Sequence, residues 1–338
     1  MTSHSRFFVG LRSGRRRVYE TELGEAWAGE SGRLLKQLPA NSVDLVLTSP
    51  PYALLKAKSY GNHEDIRYVK WFRPFAREIF RVLKDSGSFV LNIGGGWQSG
   101  LPTRSLYVQK LLLDLCEPDS RRNNAPHFNL AQEFFWFNPA KMPNPAQWVT
   151  IDRIRVKDAV EYVWWLSKTP HPKADNRRVL APYSKSMQRL LDTERYNKGR
   201  RPSGWQVSDD WAIDHGGAIP PNVLPAALVE SPHSSPVQGT EEQFNMFVET
   251  NTTSNDTYRN KCRENGVEAH PAMFPKALPE FFIRMLTEPG DLVVDPFSGS
   301  NTTGKTADDM RRRWIAIERN RKYVESSLYR WSDFESDP

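Results

Sequence analysis

The chain reads as an α/β protein with a doubly wound, mostly parallel sheet, and three observations carry that expectation. Apolar runs of strand length alternate with segments of helical apolar spacing from Val18 onward, the pattern of a parallel sheet with helices on both faces. Two of the short apolar runs stop at abrupt turns, Ser49-Pro50-Pro51-Tyr52 and Asp295-Pro296-Phe297-Ser298-Gly299-Ser300. Finally, 338 residues are enough for one large α/β domain with a smaller lobe, or for two domains.

Taken in order, Leu34, Leu35 and Leu38 mark a short helix, and Val43-Asp44-Leu45-Val46-Leu47 a short buried strand. Phe72, Phe75, Ile79, Phe80 and Leu83 fall at helical spacing within 68–83. Ser88-Phe89-Val90-Leu91-Asn92-Ile93 then gives a strand running into Gly94-Gly95-Gly96. A helix is expected near 105–116, with strands at 133–137 and 162–166. The aromatic residues Phe134 to Phe137, Trp164 and Trp165 are read as core rather than as ligand platforms. Toward the C-terminus a helix over 276–286 precedes the strand Leu292-Val293-Val294. A helix over 301–310 then leads to the strand Trp314-Ile315-Ala316-Ile317, which ends at Glu318.

The two turns carry the chemistry. Consecutive prolines fix φ and remove two backbone donors, leaving rigid carbonyl acceptors. Ser49 and the Pro50 carbonyl can therefore accept from an exocyclic –NH2, while the Tyr52 ring stacks on a flat base. The alternative for such a tetrapeptide alone is a plain strand-to-helix turn. At the second turn, Gly299 lets a ligand approach the backbone while helix-start N–H groups point toward it. Glu318 stands 23 positions after Asp295, a spacing at which an acidic residue commonly binds ribose hydroxyls. A single glycine departs from the dinucleotide pattern and suits a nucleoside without a pyrophosphate, such as S-adenosylmethionine. Asp295 either belongs to this ligand turn or caps the helix that follows.

Composition restricts the options. A net charge of +6 suits a polyanion partner. No run of ~18 apolar residues and no apolar signal core at the N-terminus is present, so a soluble cytoplasmic protein is expected. The two cysteines, Cys116 and Cys262, are too few for a disulfide framework. Neither follows a proline, as the thiolate nucleophile of cytosine carbon-5 methyltransferases does, and this favours chemistry at an amino group. The seven histidines are scattered without a cysteine/histidine cluster, so no metal is expected.

The two motifs in this order resemble those of the β-class, circularly permuted amino-methyltransferases of DNA, which partner restriction enzymes. The likeness covers roughly residues 20 to 330. It extends to Gly29-Glu30-Ser31, Phe135-Trp136-Phe137-Asn138-Pro139, Ile154-Arg155-Val156-Lys157-Asp158 and His270-Pro271-Ala272-Met273-Phe274-Pro275. The resemblance implies the Rossmann-like fold of S-adenosylmethionine-dependent methyltransferases with a smaller target-recognition lobe. Ser49, Pro50, Pro51 and Tyr52 would be catalytic. Asp295, Phe297, Gly299 and Ser300 would lie beneath the methionine part of the cofactor, and Glu318 on its ribose. Glu30 would lie on the adenine side, where relatives commonly have aspartate, and His270, Pro271 and Phe274 would close the pocket. Some relatives carry a carboxylate where this chain has Asn92, so a proton relay through that position is unavailable, although Asn92 could still orient Ser49.

Family members with serine before Pro-Pro usually act on cytosine N4, whereas adenine N6 enzymes usually have aspartate or asparagine there. The resemblance therefore implies an N4-cytosine enzyme acting on a flipped base in double-stranded DNA. Its alternatives are the adenine enzyme, a non-catalytic DNA-binding regulator on the same fold and an RNA-directed methyltransferase. The division expected is a basic arm over 1–17, either lying on phosphates or disordered, and a catalytic half over 18–167. A target-recognition region over 168–265 follows, then a cofactor half over 266–338. Within 168–265, Arg177, Arg178, Arg189, Lys198, Arg200, Arg201 and Trp205 could enter a groove, and 229–256 is expected to be a mobile loop. A monomer paired in function with a cognate restriction endonuclease completes the expectation.

Overall fold

A computed structural model describes residues 17–53, 65–117, 127–138, 141–193, 213–225, 257–273 and 275–331. Residues 1–16 of the arm expected over 1–17, the loop expected at 229–256, and Pro139, Lys198, Arg200, Arg201, Trp205 and Phe274 lie outside the described residues, while Arg17 belongs to the first strand instead of the arm.

The first elements are β1 (Arg17–Glu20), β2 (Gly24–Ala28), α1 (Ser31–Leu35) and β3 (Val43–Thr48). Every residue of β3 is buried, as expected for a parallel strand covered on both faces. Next come α2 (Asp65–Val82), β4 (Leu83–Ile93), β5 (Gly96–Trp97), β6 (Arg104–Ser105) and α3 (Tyr107–Cys116). Tyr68, Phe72, Phe75, Ile79 and Val82 make one buried stripe along α2, and Pro74 falls on its exposed side. Then follow β7 (Asn129–Phe137), β8 (Val160–Ser167), α4 (Lys185–Thr193) and β9 (Val223–Pro225). The last segment holds α5 (Thr257–Glu264), α6 (Ala277–Leu286), β10 (Leu292–Asp295), α7 (Thr302–Asp309), β11 (Arg313–Glu318) and α8 (Arg321–Ser327).

Among the described residues nine strands form one sheet in the order β1-β2-β11-β10-β3-β4-β8-β7-β9. The five from β2 to β4 are parallel, and β1 and β8 run against them. The mostly parallel, doubly wound α/β sheet expected from the sequence is therefore present. The antiparallel placement of β8 and β7 was not legible in it. Side chains alternate between two cores. On one face Val46, Phe89, Leu91 and Val294 pack with Leu34, Leu35, Phe72, Ile79 and Leu111. On the other, Leu45, Leu47, Val90, Val293 and Trp314 pack with Phe282, Ile283, Ala307 and Val324. Phe134, Trp136, Trp164 and Trp165 are buried core, as expected, whereas Phe135 is only partly buried and Phe137 is exposed, because alternate residues of the strand point to opposite faces.

One described part of 168–265 joins the main sheet. β9 is its edge strand, beside β7. Arg178 donates to the Thr287 carbonyl and pairs with Glu288 at 2.9 Å, while Arg177 pairs with Asp175 at 2.8 Å. Glu288 precedes β10, so these two arginines stand at the end of the sheet opposite the turn that follows Asp295. Among the described residues no helix is long and apolar enough to cross a membrane.

Candidate active site

β10 and β3 are neighbours in register, Val293 beside Leu45 and Val294 beside Val46, so the turns after Thr48 and Asp295 leave the same edge. From that pair the chain winds through α2 to β4 in one direction and through α7 to β11 in the other. Helices then fall on opposite faces and a crevice opens between the two turns, the place where open α/β sheets bind ligands. Thr48 Oγ1 donates to Asp295 Oδ1 at 2.6 Å and bridges the two turns directly. Ser31 Oγ donates to the Pro296 carbonyl, and Gly29 N–H to the Glu318 carbonyl at 2.9 Å, which ties in the turn after β2.

Asp295 is the organiser of this edge. Its carboxylate also accepts from Thr303 Oγ1 at 2.7 Å and from Phe297 N–H at 3.0 Å. Burial pushes its pKa from 3.8 up to about 6, against the pull of those three donors. It does not cap the following helix. That part falls to Asn301, in the left-handed region with φ 57°, whose side chain accepts from Gly304 N–H. Because the folded-state pKa lies above the unfolded one, the stability linked to this group is full below about pH 4. It is lost as pH rises through about 6, by about 3 kcal/mol for a shift of this size. Asp295→Asn keeps an acceptor for Thr48 and turns an amide toward the Thr303 hydroxyl. Urea midpoints from pH 4 to 7 are expected to fall less for the variant, and parallel curves would contradict the buried charge.

On the β11 side, Glu318 accepts from Gly299 N–H at 3.2 Å and from Asn320 N–H at 2.8 Å, and burial raises its pKa. These bonds leave acceptor capacity on a carboxylate that has about four lone-pair positions. Gly299 has φ 50°, and a Cβ there would come 3.0 Å from the His270 ring. His270 is buried, with Nδ1 2.6 Å from the Ala272 carbonyl and its ring edge-on to Tyr323. Pro271 is exposed beside it. Ser300 is held by Arg330, which donates to its carbonyl at 2.5 Å and to its hydroxyl at 2.8 Å. Phe297 packs edge-on against Phe75 of α2, with ring centroids 5.1 Å apart. Glu30 is the N-cap of α1, its carboxylate accepting from Gly32 N–H and Arg33 N–H at 3.0 and 2.8 Å. Arg330 and Asn301 had no role in the sequence reading, and no local pattern marks Arg330.

On the β3 side, Ser49 is half-buried, and its Oγ lies 3.1 Å from the Tyr52 hydroxyl. Tyr52 and Phe297 pack against the same core cluster, so both turns serve one side of the crevice. The Tyr52 ring lies against Gly94, where an added Cβ would meet Cε2 at 2.6 Å. The triple glycine after β4 therefore gives the aromatic ring its seat. The Tyr52 hydroxyl donates to Glu161 Oε2 at 2.7 Å and lies 3.0 Å from Asn92 Oδ1. Asn92 thus meets Tyr52 rather than Ser49. Glu161 is buried on β8, and its other oxygen pairs with Lys141 at 3.1 Å. Sequence reasoning missed this carboxylate. Its only signal is a lone acid between Val160 and Tyr162 in an otherwise apolar strand.

The arrangement suits amino-group chemistry. Cys116 lies at the end of α3, and burial pushes its thiol up to about 11, while Cys262 is buried on α5. Neither offers a thiolate beside Tyr52. Among the described residues no His/Cys/Asp/Glu group could hold a metal ion.

Comparison with known proteins agrees with this geometry. The DNA methylase family matches residues 43–328. The type II methyltransferase M.PvuII of Proteus hauseri is 43% identical over 325 residues, covering 96% of this chain and 88% of its own length. The DNA adenine methyltransferase YhdJ of Escherichia coli is 26% identical over 309 residues, covering 89% and 80%. A solved structure of the PvuII DNA methyltransferase, described as cytosine-N4-specific, superposes with a TM-score of 0.69. That match has 38% identity and covers 96% of this chain and 91% of the solved one.

Proposed function

The chain belongs to the DNA methylase family, and from that membership we propose that it methylates the N4 amino group of a cytosine flipped out of double-stranded DNA. The observation that carries this reading is the meeting of Ser49-Pro50-Pro51-Tyr52 with the Asp295 turn, joined through Thr48 at 2.6 Å. S-adenosylmethionine is the methyl donor, supplying an electrophilic sulfonium methyl when bound. The residues present fit it. Glu318 retains acceptor capacity for ribose hydroxyls, and the turn from Phe297 to Ser300 borders the crevice. His270 and Pro271 close the pocket, and Glu30 borders its adenine side.

An amino lone pair is delocalised into the cytosine ring, so the protein must localise it. Ser49 Oγ and the Pro50 carbonyl accept the two amino hydrogens and hold nitrogen in line with the methyl group. The Tyr52 ring stacks on the base, and Pro51 fixes the turn that presents that ring. Base–aromatic stacking returns ~1–3 kcal/mol, against a few kcal/mol for unstacking. Holding the reactants in register supplies much of the remainder, since well-oriented pairs gain up to ~7–11 kcal/mol.

We assign 18–167 to catalysis, 168–265 to target recognition and 266–338 to the cofactor, in a monomer acting in the cytoplasm. Site-specific methylation of this kind protects DNA from a cognate restriction endonuclease. The test is incubation with duplex DNA and methyl-labelled S-adenosylmethionine, then digestion and mass spectrometry of nucleosides. Label is expected in N4-methylcytosine. Label in N6-methyladenine would overturn the base assignment, and label in carbon-5-methylcytosine would overturn the mechanism.

A further inference from the structure

We propose that Glu161 receives the proton released by the target amine, through the hydroxyls of Ser49 and Tyr52. The inference rests on the methylation reading above and identifies the proton acceptor that Asn92 cannot be. An amide does not take up a proton near neutral pH, so the Asn92 position offers no base. The structure supplies one from the next strand. β8 lies antiparallel beside β4, with Asn92 opposite Val163 and Ile93 opposite Tyr162, which brings Glu161 to the edge where Tyr52 sits.

The path is continuous. Ser49 Oγ lies 3.1 Å from the Tyr52 hydroxyl, and that hydroxyl lies 2.7 Å from Glu161 Oε2. The second distance is that of a well-formed O–H···O hydrogen bond. Lys141 pairs with the other carboxylate oxygen, Oε1, at 3.1 Å, which leaves Oε2 to the Tyr52 hydroxyl. Burial, with the charge of Glu161, keeps the Tyr107 phenol protonated. Burial and the Glu161 charge likewise keep Tyr52 neutral, so it relays by giving up one proton as it takes another.

In the reaction the amine lone pair forms the N4–methyl bond as the sulfur–methyl bond breaks, and that electron pair returns to sulfur. The methylated nitrogen then carries one proton too many. It gives this proton to Ser49 Oγ, whose own proton moves to the Tyr52 oxygen, and the Tyr52 proton moves to Glu161. The products are a neutral methylated amine, a neutral thioether and a protonated Glu161, which returns its proton to solvent before the next cycle. Glu161 meets the substrate only through two hydroxyls, so it is a positioning residue that also stores the proton.

Glu161→Gln separates storage from positioning, because the amide oxygen still accepts from Tyr52 and cannot take a proton. Tyr52→Phe breaks the path while leaving the stacking ring and the Glu161–Lys141 pair in place. Single-turnover methyl transfer is to be measured from pH 5 to 9 for both variants, with cofactor affinity by calorimetry. Each is expected to lose ~10²-fold or more in rate, the low end for general acid–base assistance. Each is also expected to keep the wild-type S-adenosylmethionine affinity, so that only the transfer step is lost. Either variant transferring at the wild-type rate would overturn the relay, and Tyr52→Phe decides alone should Glu161→Gln not fold. Failure of the wild-type protein to methylate DNA would instead overturn the activity on which the relay rests.

Discussion

Ser49→Ala is expected to lower turnover by ~10²–10³-fold, the loss typical when one pre-placed hydrogen-bonding group is removed from a reacting centre. The hydroxyl lies where charge develops, and its loss leaves the amino lone pair in conjugation with the ring. S-adenosylmethionine affinity should not change, because the Glu318 carboxylate meets Gly299 and Asn320 and not the β3 turn. The fold should tolerate the change as well. Among the described residues the Ser49 side chain makes one hydrogen bond, at 3.1 Å to Tyr52, and such a bond contributes only ~0.5–1.5 kcal/mol. Steady-state kinetics on duplex DNA with calorimetry of the cofactor checks both halves. Wild-type turnover in the variant would reduce Ser49 to a turn residue.

Glu318→Ala should act on the other substrate. Removing a charged acceptor from a ribose hydroxyl is expected to weaken S-adenosylmethionine binding by ~1.5–3 kcal/mol, about ten- to a hundredfold in Kd. Part of that loss comes from the protein itself. The Gly299 and Asn320 N–H groups lose their acceptor, so the turn beneath the methionine part loosens along with the direct contact. Glu318→Gln, which keeps an acceptor but not the charge, should fall between the two. Calorimetry showing unchanged affinity in Glu318→Ala would remove the ribose role.

Much of this site was legible because it lies in local chain chemistry. Ser49-Pro50-Pro51-Tyr52 follows an apolar strand, and two prolines leave little choice of backbone. Gly299 marks a turn that needs positive φ, and Glu318 ends a strand at a recognisable spacing. What stayed hidden is set by strand order. Nothing near residue 161 states that β8 turns antiparallel onto β4, yet that pairing alone delivers a carboxylate to Tyr52. Arg330 reaches Ser300 from 30 positions along the chain, and Thr48, given no role in the sequence reading, holds the two turns together. Asp295 was weighed as a helix cap, but Asn301 takes that place because the chain needs six residues to turn from β10 into α7. Arginines 177 and 178, read in sequence as part of a basic run, pair with carboxylates of this chain at the far end of the sheet.

The central claim is that one cavity holds the methyl donor and an extruded base together, and a crystal structure with S-adenosylhomocysteine and a cytosine-containing target duplex tests it most directly. The account requires cytosine N4 within hydrogen-bonding distance, ~3 Å, of both Ser49 Oγ and the Pro50 carbonyl oxygen. It also requires the cofactor ribose on Glu318, with its sulfur facing N4. A ribose bound away from Glu318, or a duplex with every base still stacked, would contradict it.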